Sequence, residues 1–269
     1  MTDQIEQFGR VCRLVIGKDG SGINFSGLRI RFNIKKTSDS KANEAKIELY
    51  NPNPEHVGLL LNEWQDILLM AGYEGNEQMI FTGQIRRATQ RVDGADRIVL
   101  IESGDGEKAL QNSTVNKTFT KGTTDDQVIH ECQSCMGNPT GHKDILDSKP
   151  RSRGKVVSGR ASKVMDKVAV RNEAQWSIQD GQFLLLKGKN TRPNAVWLIS
   201  DATGMLGSPE QTEEGGVKVC TLLNPAYLIG GVAKVEAITY KGGIRIESIE
   251  HSGDTHSTEW SSKLEGQQV

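Results

Sequence analysis

Between Leu28 and Ile34 the chain reads Leu-Arg-Ile-Arg-Phe-Asn-Ile, and from Ala45 to Tyr50 it reads Ala-Lys-Ile-Glu-Leu-Tyr, largely apolar and polar by turns. A period of two places one kind of side chain on each face of an extended strand, the pattern of a half-buried sheet and not of a helix. Residues 10–16, 66–73, 79–90 and 97–102 are further expected strands. Asn51-Pro52-Asn53-Pro54 ends one of the alternating runs and precedes a short expected helix over 55–62. Gly17-Lys18-Asp19-Gly20-Ser21-Gly22 reads as a hairpin tip, since it lacks the length and the Gly-Lys-Ser/Thr ending of a phosphate loop. With 29 glycines against 7 prolines and even strand spacing, a sandwich or barrel is expected here.

After Ser103-Gly104-Asp105-Gly106 the period changes. Thr124-Asp125-Asp126-Gln127 is a capping box that should open a helix running to about Met136. Polar residues 137–155 are expected to form a surface loop. Ser162 is expected to cap a second helix in which Val164, Met165, Val168 and Ala169 share a face. A hairpin follows, with strands at 175–178 and 183–187 around Gln179-Asp180-Gly181. Strands return at 196–200, 216–223, 233–240 and 243–251. Val217, Val219 and Leu222 are expected on one side of their strand, and 233–240 is expected to pair back onto it across Gly230-Gly231. The two β regions close on similar phrases, Arg97 to Asp105 and Arg245 to Asp254, each running into Ser-Gly-Asp, a weak repeat signal. The expected fold class is α+β, mainly β. Two β-barrel-like modules, at 1–104 and 194–269, flank a small α/β insert at 105–193.

A chain of 269 residues suits about two domains at roughly 100–200 residues each. Hydrophobic residues at 36% and charged ones at 25% provide a core and argue against global disorder. A net charge of −1 advertises neither nucleic acid nor an anionic membrane. No apolar run approaches the ~20 residues of a membrane span, so no membrane insertion is expected. The polar, acidic start lacks the order of a signal peptide. Four scattered cysteines suggest folding in a reducing cytosol without a disulfide framework.

Several clusters invite chemistry. His130, Cys132, Cys135 and His142 have side chains that hold zinc, but Cys132 and Cys135 also sit at helical spacing among Val128, Ile129 and Met136. Small cysteines packing a helix face are the expectation. His251-Ser252-Gly253-Asp254-Thr255-His256 carries two imidazoles and a carboxylate, yet no second carboxylate or nucleophile nearby, and reads as a strand-end turn. Glu63-Trp64-Gln65-Asp66 is the one acidic pair flanked by an aromatic residue that a glycoside hydrolase would want, with Trp64 expected in the core. Lys149-Pro150-Arg151-Ser152-Arg153-Gly154-Lys155 is a basic run, open to a nucleic-acid or partner contact and expected to be solvated. No catalytic, cofactor-binding or metal residue is assigned, and no cofactor is expected.

Three sets of phrases then read together. The insert runs Thr118-Phe119-Thr120-Lys121-Gly122-Thr123-Thr124, Gly159-Arg160-Ala161-Ser162 and Trp176-Ser177-Ile178-Gln179-Asp180-Gly181. Next come Thr203-Gly204-Met205-Leu206-Gly207-Ser208-Pro209 and Leu222-Leu223-Asn224-Pro225, and finally His251-Ser252-Gly253-Asp254 with Glu259-Trp260. In this order they resemble the compact baseplate hub proteins of contractile-tail phages, relatives of the T-even phage hub. The resemblance spans nearly the whole chain. It implies a non-enzymatic structural subunit of the virion tail baseplate, assembled in the host bacterial cytoplasm as a homotrimer whose paired modules make a pseudo-sixfold ring. The implied partners are the tail spike protein, the tail tube or tube-initiator protein and baseplate wedge proteins, with a tape measure protein as a further candidate and DNA passing through the lumen. A tail-tip cell-wall hydrolase, or the hub of a contractile bacteriocin or secretion machine, are the alternatives.

Overall fold

The two alternating stretches lie side by side, and the long sheet is built outward from them. The computed structural model describes residues 8–18, 21–62, 66–146, 148–213 and 215–269. Its first part holds β1 (Arg10–Lys18), β2 (Ser21–Asn24), β3 (Ile30–Thr37), β4 (Glu44–Tyr50), α1 (Pro54–Asn62), β5 (Asp66–Tyr73), β6 (Asn76–Asp93) and β7 (Asp96–Gly104). In β3 the pattern is realised residue by residue: Ile30, Phe32 and Ile34 are buried, while Arg31, Asn33 and Lys35 face outward. The tip between β1 and β2 lies outside the described residues, but Lys18 pairs with Ser21 across it.

The middle part holds α2 (Glu107–Asn112), β8 (Thr114–Phe119), α3 (Asp125–Met136), β9 (Thr140–Lys143), β10 (Lys155–Arg160), α4 (Ala161–Arg171), β11 (Ala174–Gln179) and β12 (Gln182–Lys187). The capping box is present: the Gln127 amide donates to the Thr124 hydroxyl and the Thr124 amide donates to the Gln127 side chain. Asp180 (φ 51°) and Gly181 (φ 77°) make the two-residue hairpin loop, whose left-handed backbone Asp-Gly tolerates best.

Three expectations fail in this region. Ser162 does not cap α4: Arg160 holds the cap position without a side-chain bond, and the Ser162 hydroxyl donates instead to the Leu110 carbonyl. Residues 137–155 are not simply loop, since β9 pairs in parallel with β12. Nor is the basic run wholly solvated, because Arg151 turns inward onto Asp125.

The last part holds β13 (Val196–Ser200), a 3-10 turn (Asp201–Thr203), β14 (Glu210–Gln211), β15 (Val217–Leu222), β16 (Val232–Glu236), β17 (Lys241–Asp254) and β18 (Trp260–Gln268). Here the expected pairing is wrong. β15 pairs with β14 and β18, whereas β16 pairs in parallel with β13 and antiparallel with β17. The inward side of β15 is Val217, Val219 and Thr221, and Leu222 lies half-buried on the other.

The fold is mainly β with few helices. One 13-stranded sheet runs β14-β15-β18-β17-β3-β4-β7-β6-β5-β1-β2, with β16 and β13 branching from β17. Three hydrophobic clusters fill it: one between the first strands, one under α3 and α4, and one within the last strands. β12 serves two of them, because Phe183 and Leu185 face the helices while Leu184 and Leu186 face the last strands. Among the described residues no helix is long and apolar enough to cross a membrane.

Candidate functional site: the seam between the β regions

β17 is long enough to do two jobs. Lys241–Arg245 pairs with β16, and Ser248–Asp254 pairs with Arg31–Thr37 of β3, joining the first β region to the last through main-chain hydrogen bonds. Side chains reinforce the join. Arg29 donates from Nε and Nη2 to the two Asp254 oxygens at 3.1 and 2.6 Å. The hydrogen bond from Arg29 is the largest influence holding the Asp254 carboxyl below its ordinary range. Asn33 Nδ2 donates to Glu250 and Ser252, and the Ile30 amide donates to the Thr255 hydroxyl.

The apolar core crosses the seam as well. Leu223 and Trp260, from the last β region, are buried in the cluster of the first. Phe32 and Trp260 meet edge to face at 5.5 Å. Gly253 lies beneath them: a Cβ there would sit 2.4 Å from Phe32 Cζ and 2.7 Å from Trp260 Cε3. The glycine of the His-x-Gly-Asp phrase is thus required by close approach of two rings.

The phrases read from the sequence converge here. The Leu206 amide donates to the Cys220 carbonyl and the Leu222 amide to the Gly204 carbonyl, so the Thr-Gly-x-x-Gly-x-Pro segment lies along β15. Beyond β15, Asn224 accepts from the Ala226 amide and closes the Leu-Leu-Asn-Pro turn, while its own amide donates to the Ser262 hydroxyl. Ser262 also bonds His251 Nδ1 at 2.8 Å. Ser262 was not legible as important, because β18 reads Trp-Ser-Ser-Lys-Leu-Glu-Gly-Gln-Gln and carries little apolar pattern beyond Trp260 and Leu264.

A second polar knot lies where the β11–β12 hairpin tip enters the joint. Lys36 Nζ, almost fully buried, pairs with Asp180 at 2.5 Å. Asn43 donates to the Ile178 carbonyl and the Gln179 side chain, and the Gly181 amide donates to Asp105. Burial, and then the charge of Asp180, push the Asp105 carboxyl up to about 6. Burial, and then the charge of Lys36, push His251 down to about 3, so it is neutral in the folded protein at physiological pH.

The suspected chemical clusters do not assemble. His251 is buried, Asp254 is taken by Arg29, and His256 is exposed at the turn. Cys132 is buried but Cys135 is exposed, so the two do not share a packed face, and His142 pairs with Asp144. Among the described residues no three His, Cys, Asp or Glu side chains converge on a metal-sized site. Glu63, Trp64 and Gln65 lie outside the described residues. Burial raises the Cys132 thiol to about 11 and the Cys12 thiol to about 12. A maleimide added to native protein should therefore modify Cys135 well before Cys132 or Cys12. Mass spectrometry of timed samples reads this directly, and equal rates at Cys132 and Cys135 would contradict the placement.

No curated protein matches the sequence at a significant level. The fold is similar to that of the 43 kDa tail protein of prophage MuSo2 from Shewanella oneidensis (TM-score 0.66, 10% identity, 96% of this chain and 97% of that one). It is equally similar to a tail protein from Neisseria meningitidis MC58 (TM-score 0.66, 9% identity, 97% of each chain). The E. coli c3393 protein, a type VI secretion component similar in structure to the T4 tail proteins gp27 and gp5, aligns at TM-score 0.61 and 10% identity over 95% of this chain and 76% of that one. At such identities the likeness establishes the fold alone. Family membership rests on the family model described as "Baseplate hub gp41", which matches residues 13–239. The chain belongs to this baseplate hub family, whose members are structural components of phage tails.

Proposed function

We propose that this chain is a non-catalytic hub subunit that forms a homotrimeric ring between a sixfold tail tube and a trimeric spike. Residues 1–104 and 194–269 would act as two ring-building modules and 105–193 as an insert between them. The observation that supports this best is the continuous β17–β3 seam: hydrogen bonds and a shared core hold both β regions at one fixed angle, as an adaptor under load requires. Each ring would take the tube or tube-initiator protein on one face and the spike on the other. Wedge proteins would lie at the rim, and DNA would pass through the centre. Assembly would take place in the bacterial cytoplasm before the tail is complete. The same joint would serve a contractile secretion machine, a reading favoured by the fold shared with the type VI component.

Sedimentation velocity of the purified chain should give a species of three times the 29.5 kDa protomer. Replacing Asn224 and Pro225 by alanine removes the Asn224 acceptor and frees the turn beside Ser262, and particles carrying the variant should lack a spike in electron micrographs. A wild-type monomer at high concentration, or clearing of peptidoglycan by the chain alone, would defeat the proposal.

A further inference from the structure

Charge is unevenly distributed along this chain. Residues 114–171 hold eleven Lys and Arg against six Asp and Glu, although the whole protein carries −1. The excess gathers beside a structural opening. β10 pairs with β8 along one edge, and no described strand pairs with its other edge. Between that free edge and α4 runs a groove of about 140 Å³. Val157 and Val168 are buried in its floor, and Arg151, Lys155, Lys167 and Arg171 stand around it. Arg151 and Arg171 share the single carboxylate of Asp125, which leaves the group cationic. Lys155 and Lys167 are exposed and have no acidic partner among the ion pairs of the described residues.

We infer that this groove binds an acidic, extended segment of a partner protein, which adds to the β10 edge and sets an aliphatic side chain into the valine floor. Three features select this occupant. An unpaired edge offers main-chain donors and acceptors to an incoming strand. The surplus of cations complements carboxylates flanking the anchor. The volume lies below the roughly 300 Å³ at which small-molecule sites begin, while it can take one side chain. Nucleic acid fits less well, since the groove presents no aromatic ring on which a base could stack. The inference is independent of the trimer, because it concerns a face of the insert.

The test uses the full chain and a fluorescein-labelled peptide alternating Glu and Val, with fluorescence anisotropy as readout. The Glu/Val peptide should bind. A Glu/Ser peptide, and the Lys155→Glu/Lys167→Glu variant with the Glu/Val peptide, should each bind at least about tenfold more weakly, a loss of about 1.4 kcal/mol. Both lysines are exposed, so the variant should keep the wild-type melting temperature. Absence of Glu/Val binding to wild type, or equal binding of the Glu/Ser peptide, would overturn the inference. A duplex oligonucleotide that binds more tightly than the peptide and is lost in the same variant would overturn it in favour of nucleic acid.

Discussion

Trp260→Ala should cost about 3–5 kcal/mol, the range for truncating a buried aromatic, and should divide unfolding into two transitions. Trp260 is 2% exposed and belongs by sequence to the last β region, but its ring fills the core of the first, against Phe32 and over Gly253. Removing it opens a cavity where the core of the first region takes in side chains of the last, leaving Leu223, the β3–β17 ladder and the Arg29–Asp254 pair to couple them. Trp260→Phe retains a ring and removes an indole N–H that has no partner in the joint, so it should cost less than about 1.5 kcal/mol. Urea unfolding followed by far-ultraviolet circular dichroism distinguishes the outcomes. A single transition shifted by less than about 1 kcal/mol would mean that the seam is not where the regions are coupled.

Asp105→Asn should stabilise the protein above pH 6 by about 1–3 kcal/mol, since each pH unit separating the folded and unfolded titrations is worth about 1.36 kcal/mol. The Asp105 carboxyl titrates at about 6 in the folded protein against an ordinary value of 3.8, because burial and the nearby Asp180 disfavour its charge. A raised carboxyl gives stability that is complete below pH 3.8 and lost as pH climbs through 6. His251 has the opposite sign: its value falls from 6.5 to about 3, so its contribution is complete above pH 6.5 and lost as pH drops toward 3. The two slopes oppose one another between about pH 4 and 6 and flatten the wild-type profile there. Asparagine keeps an oxygen for the Gly181 amide and removes the charge. The variant should therefore match wild type near pH 4, exceed it increasingly toward pH 6, and show a steeper loss on acidification. Urea midpoints at pH 4, 5, 6 and 7.5 would show this; a variant weaker than wild type at pH 7.5 would refute the assignment of Asp105 as a strained charge.

Some elements were legible because their causes are local. The alternation of β3 and β4, the Thr124–Gln127 capping box and the Asp180-Gly181 turn each follow from neighbours within a few residues. Ser162 misled because a serine near a helix start has another use when it falls inside the first turn and a carbonyl, here that of Leu110, lies within hydrogen-bond reach. Cys135 misled because helical spacing of three allows a shared face without deciding how far the packed stripe extends.

The phrases around Gly204, Asn224 and Gly253 were visible as a family signature, while their meeting place was not. A period of two tells which face of a strand is buried and is silent on which strand lies beside it. That is why the sequence by itself determined the strand-rich class, the helix start and the hairpin. Only the tertiary structure decided that β15 pairs with β18, that a polar strand supplies Ser262 to Asn224 and His251, and that Asn33 meets Glu250 across 217 residues of chain. Such pairings are selected by the burial and hydrogen bonding of the whole sheet at once, a sum to which no short segment holds the answer.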